Sequence, residues 1–145
     1  MNEEELEHAI GALEMYKANL EQLQQQKSFV ELSLKEYMLA KSSLEAFEKA
    51  EKGDEVMVPI GAGIMAKMSI ADPDSFVVNA GSNISVEKDF KGAMETLEKR
   101  MKDIEQGLES INENIARIEQ EYEKLAHYVQ HAYEEYQRSQ NVQNP

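Results

Sequence analysis

The sequence predicts an α+β protein: a long antiparallel two-helix coiled coil with two β-hairpins inserted between the helices. Three observations predict it. Towards both ends of the 145-residue chain, apolar residues recur at alternating steps of three and four, the period of a coiled-coil seam. The stretch between switches to a period of two, with glycine and proline at its turns. Both flanking segments are rich in Glu, Lys, Gln, Leu and Ile, residues that favour helix.

The first helix is expected over about 2–52, where there is no proline and Gly11 is the only glycine. Its seam is Leu6, Ala9, Leu13, Tyr16, Leu20, Leu23, Lys27, Val30, Leu34, Tyr37, Lys41 and Leu44. The two lysines interrupt it, and polar seam residues fix register or partner at a cost in stability. Phe29, Leu32, Met38, Leu39 and Phe47 lie off the seam. A simple pair of helices leaves them exposed, so the lower half of this helix is expected to touch something else.

The insert is expected over 55–86. Val56, Val58 and Ile60 alternate, Gly61-Ala62-Gly63 turns, and Ile64, Ala66, Met68 and Ile70 alternate back. Asp72-Pro73-Asp74 connects to Phe76, Val78 and Ala80, and Gly81-Ser82-Asn83 turns into Ile84 and Val86. Pro59 cannot donate to a ladder, so its strand is an edge or is bulged there.

The second helix is expected over 87–138, with a tail at 139–145. Its seam is Phe90, Met94, Leu97, Met101, Ile104, Leu108, Ile111, Ile115, Ile118, Tyr122, Leu125, Val129, Ala132 and Tyr136, without one polar member. Gly92 and Gly107 each cost about 1 kcal/mol against alanine, which a long packed seam absorbs.

Two helices of similar length on either side of a small insert fold back on each other. About 50 residues at 1.5 Å each make a rod of roughly 75 Å, with both termini at its free end. Antiparallel pairing at equal rise puts residues level when their numbers sum to roughly 138, so Leu44 meets Met94, Leu13 meets Leu125 and Leu6 meets Ala132. Four short strands are too few to cover both faces, and their edges need partners. Inserts from several chains are therefore expected to pair into a common sheet or barrel through Val56, Val58, Ile60, Ile64, Val78 and Ile84.

Charge and composition narrow the function. Fifteen basic against 28 acidic residues give a net charge of −13. No Lys/Arg cluster is present, which argues against nucleic acid and against an anionic membrane surface. Met1 to Glu7 is acidic where a secretion signal is basic, and no apolar run approaches the roughly 18 residues of a membrane span. Cysteine is absent, so neither disulfides nor thiolate chemistry arise. A soluble, cytoplasmic protein is expected.

Three constellations bear on catalysis. Gly61-x-Gly63 follows a strand, but a phosphate loop needs a helix immediately afterwards and the rest of its motif. His127 and His131 share a helix face near Glu123 and Glu134, yet a zinc site needs three or four ligands with second-shell support. Glu45 with Lys49 and Glu95 with Lys99 are i, i+4 pairs of a helix surface; catalytic carboxylates need a cleft. No catalytic residue, cofactor or metal is expected, and the chain is read as not an enzyme.

Val58-Pro59-Ile60-Gly61-Ala62-Gly63, then Asn79-Ala80-Gly81-Ser82-Asn83-Ile84-Ser85-Val86-Glu87-Lys88, with heptads on either side, resemble prefoldin over nearly the whole chain. Two hairpins, where beta-type subunits carry one, point to the archaeal alpha type. The resemblance implies a β-barrel body with coiled-coil tentacles, usually a hexamer of two alpha-type and four beta-type subunits. It implies an ATP-independent molecular chaperone that binds unfolded proteins at its tips and passes them to a group II chaperonin. A filament-forming structural relative is the alternative.

The apolar residues near the chain ends are then the client-binding candidates: Leu6, Ile10, Leu13, Val129, Tyr133 and Tyr136, with Ala132 and Met15 beside them. One reading is ordinary seam packing with scattered exposed apolar residues. The other is a tip that splays and offers apolar surface to a non-native protein, a non-directional and sequence-tolerant contact.

Overall fold

The computed structural model describes residues 2–143. In chain order they form helix α1 (Glu3–Ala46), strands β1 (Glu55–Gly61), β2 (Ile64–Ser69), β3 (Phe76–Gly81) and β4 (Ile84–Lys88), and helix α2 (Phe90–Gln143). β1 pairs with β2 and β3 with β4, each antiparallel, as two separate two-stranded sheets. The chain divides into two compact units: Met1–Leu32 with Gln106–Pro145, and Ser33–Glu105.

Among its described residues the first unit is helical after Asn2. α1 opens with a capping box: the Glu5 N–H donates to Asn2 Oδ1 at 2.8 Å, and the Asn2 N–H donates to Glu5 Oε2 at 3.1 Å. Glu3, Glu4 and Glu5 put negative charge at the positive end of the helix dipole. Seam residues from Leu6 to Val30 on α1 and from Leu108 to Ala132 on α2 are half-buried, and Ile115 is buried. A hollow lined by Asn19, Leu23 and Gln26 on one side and by Asn114, Arg117 and Ile118 on the other shows where the helices face each other. That facing fits the register expected from equal rise. Only Tyr136, the last seam position, is exposed, at 38%.

The second unit carries the hairpins. Each turns through two residues at positive φ: Ala62 and Gly63 in the first, Ser82 and Asn83 in the second. That is the backbone whose twist matches a tight hairpin. Each also has a bulge just before the turn, between Pro59 and Gly61 and between Asn79 and Gly81. The pattern Val-x-x-Gly-x-x-Ile at 58–64 and again at 78–84 thus builds the same hairpin twice. Pro59 sits at its bulge, where a missing N–H costs least.

Three phenylalanines tie the second hairpin to the helix ends. Phe76 of β3 meets Phe47 edge-on, ring centres 5.8 Å apart, and Phe90 at 6.3 Å. The Phe90 N–H donates to Asp74 Oδ1 at 2.9 Å, and Arg100 donates to the Asn79 carbonyl. Lys41 Nζ lies 3.6 Å from Glu98 Oε1, within one residue of the expected register. Ala93 is buried against this surface.

Element ends depart from expectation. α1 stops at Ala46 rather than near 52. Phe47 to Ala50 tighten into three-residue turns, because Phe47 leaves the helix to pack on Phe76. β4 runs to Lys88, since Glu87 and Lys88 pair with Val77 and Phe76. α2 therefore starts at Phe90, not 87. Asp89 caps it by accepting from the Gly92 N–H at 2.7 Å. At the other end α2 continues through 139–143, where a tail was expected; no proline or glycine stops it. The rest of that tail, 144–145, lies outside the described residues, as does residue 1.

Candidate functional surfaces

The hairpins expose apolar side chains on both of their faces. In the first, Val56–Met68 and Val58–Ala66 pair on one face, while Met57–Lys67 and Pro59–Met65 pair on the other. Val56 and Ala66 are half-buried. Val58 is 37% exposed, Ile60 68% and Ile64 60%. In the second hairpin, Phe76, Val78 and Val86 share a face, and Val78 is half-buried beside Leu44 and Leu97 along a hollow of about 290 Å³. Ile84 is 60% exposed beyond the turn.

The alternation that selected Val58 and Val78 overlooked the opposite faces. Met57, Met65 and Val77 are also about half exposed or more, Val77 at 75%. The overlooked signal is the unbroken run Val56-Met57-Val58, together with Phe76-Val77-Val78. Strands buried on both faces read as continuous apolar runs rather than as alternation.

At the helix ends the six candidates divide. Leu6, Leu13 and Val129 are half-buried seam residues, whereas Ile10, Tyr133 and Tyr136 are exposed. The first three hold the helices together and the last three reach outwards. Tyr128, which the seam pattern passed over, is exposed too, at 58%.

The other constellations resolve simply. Gly61-Ala62-Gly63 turns a hairpin and is followed by strand β2. His131 Nε2 lies 3.9 Å from Glu135 Oε1, one helical turn on, and both side chains are exposed. Among the described residues no group of three or more His, Cys, Asp or Glu could hold a metal ion. No described helix is long and apolar enough to cross a membrane.

Comparison with known proteins gives one consistent result. The Prefoldin family model, described as prefoldin subunit, matches residues 16–135. A prefoldin subunit alpha from Methanococcus vannielii is 30% identical over 103 residues, 66% of this chain and 68% of that protein. One from Methanothrix thermoacetophila is 34% identical over 98 residues, 68% of this chain and 64% of that one. One from Pyrococcus horikoshii is 33% identical over 103 residues, covering 70% of each. The chain thus spans about two thirds of the length of these relatives. Among solved structures, filamentous PFD from Methanocaldococcus jannaschii matches with a TM-score of 0.71 at 23% identity, over 80% of this chain and 96% of that one. The prefoldin beta subunit from Thermococcus strain KS-1 matches with a TM-score of 0.58 at 20% identity, over 88% and 91%. These structural matches establish the likeness of fold.

Proposed function

The chain belongs to the prefoldin family, and from that premise we propose that it is a non-enzymatic subunit of an ATP-independent holdase. It assembles through its β-hairpins, in the manner of an alpha-type subunit, with beta-type subunits in a hexamer of two and four. The ends of its helices hold unfolded proteins and pass them to a group II chaperonin. The cytoplasm is the compartment where such clients and such a chaperonin meet.

The observation that carries the reading is the incompleteness of the hairpins. Each is a lone two-stranded sheet, an arrangement marginal in water by itself. Ile60, Ile64, Val77 and Ile84 are each at least 60% exposed, and the outer strand edges have no ladder partner among the described residues. Pairing with other subunits supplies the missing edges and covers the apolar faces. Exposure of Ile10 at 43% and Tyr133 at 51% supports the helix ends as the holding surface. Such contacts are weak singly, and several subunits acting on one polypeptide multiply them.

The same open edges admit a second reading, a filament whose subunits add without closing. Native mass spectrometry of the chain, alone and mixed with a beta-type prefoldin subunit, separates the two. A closed complex of fixed mass that requires the beta-type subunit supports the hexamer. Unlimited growth of the chain alone supports the filament.

A further inference from the structure

Phe29 is 72% exposed and Leu32 60%, one turn apart on α1. Val30 between them points into the seam, about 100° round the helix from Phe29 and about 160° from Leu32. The two therefore form a small apolar patch on the side of α1 turned away from its helix partner. Met15, two heptads earlier and 68% exposed, is displaced from Phe29 by only about 40° round the helix. The charges around it are balanced in sign. From Gln22 to Gln26 there is no charge, Lys27 and Glu31 face each other at 4.0 Å, and Lys35 and Glu36 follow Leu32 by three and four residues.

The size of the patch decides what it can hold. Phe29 and Leu32 offer on the order of 250 Å² between them, whereas a stable protein–protein contact needs about 600–1,000 Å² from each partner. As a sole contact, so little area holds neither a second copy of this chain nor another folded subunit. Two basic and two acidic neighbours leave no net charge by which to select a folded partner. An extended polypeptide needs neither, because one or two of its apolar side chains at a time can rest on a patch of this size.

We propose that Phe29 and Leu32 form a second holding site for non-native polypeptide, distinct from the helix ends. The inference rests on the reading that the helix ends hold such polypeptides. It extends that reading by making one bound chain touch a subunit at two places, which lowers its rate of escape.

The test places a photo-crosslinking side chain at three positions of the full chain in its assembled complex: Phe29→benzoylphenylalanine, Tyr133→benzoylphenylalanine and, as a surface control, Glu113→benzoylphenylalanine. The probe is reduced, carboxymethylated α-lactalbumin, which is permanently unfolded and acidic, so attraction to this acidic chain cannot be electrostatic. Adducts with the probe from positions 29 and 133 but not from 113 are expected. In parallel, the Phe29→Ser, Leu32→Ser double variant should keep the native mass of the complex and bind the probe about threefold more weakly, as the loss of one of several linked contacts implies. Adducts from position 29 to another subunit, or a changed mass in the double variant, would show the patch to be a subunit contact and overturn the proposal. Adducts from 133 alone would overturn it while leaving the helix ends as the holding surface. Adducts from neither position would overturn both readings.

Discussion

The paired helices and the paired hairpins solve the same problem to different degrees. On the helices every seam position except Tyr136 is at least half-buried. The seam residues find cover within one chain, while off-seam residues such as Phe29 and Leu32 do not. On the hairpins apolar residues occur on both faces and mostly remain exposed. A two-helix seam needs one partner, and the fold-back of the chain supplies it. A two-stranded sheet needs cover on its faces and partners at its edges, and one short chain cannot supply both. On the proposed reading, the seam stabilises the subunit and the hairpins carry assembly.

That assignment can be broken in order of expected effect. Ile60→Asp combined with Ile84→Asp puts charge on both hairpins near their turns. It should abolish the complex, reducing native mass to the single chain, while helical circular dichroism stays nearly unchanged. Retention of the complex would break the comparison. Ile115→Ala removes a buried seam side chain and should cost about 2–4 kcal/mol of stability. It is read as a lower unfolding midpoint, in a complex of unchanged mass at low temperature. Asp89→Ala removes the cap of α2 and should cost about 1 kcal/mol by the same measurement. Lys41→Ala should fall within about 0.5 kcal/mol of the parent, because its partner Glu98 is exposed and an exposed pair contributes little. A loss several times larger would mean that Lys41 fixes register.

The seams were legible in the sequence because a strict alternation of three and four over many turns keeps one face of a helix apolar and fits no strand. The register was legible too: Lys41 faces Glu98, as equal rise along both helices away from the insert requires. Element ends were not legible. Glu48-Lys49-Ala50 and Glu87-Lys88 are good helix formers, yet the first leaves α1 when Phe47 packs on Phe76, and the second extends the β3–β4 ladder. Partners distant in sequence decided both, and local propensity cannot see them. The surfaces were half legible. Ile10, Tyr133 and the off-seam Phe29 and Leu32 are exposed, as their positions imply. Phe47, also off the seam, found cover against Phe76. Val77 was hidden from a reading by alternation because both neighbours are apolar as well.

The central claim is that holding unfolded protein belongs to the helix ends and assembly to the hairpins. It is tested most directly with a chain shortened to residues 14–128, which lacks Leu6, Ile10, Tyr133 and Tyr136 but retains both hairpins and most of the seam. Helix ends fray first and contribute least to stability, so the shortened chain should form a complex with the subunit number of the full-length one. The measurement is suppression of aggregation of a chemically unfolded test protein, with no nucleotide added. The account predicts that the shortened complex loses most of its protection. Equal protection by a shortened complex of the same subunit number would contradict it and move the holding surface inward, to the rest of the helices or to the hairpins.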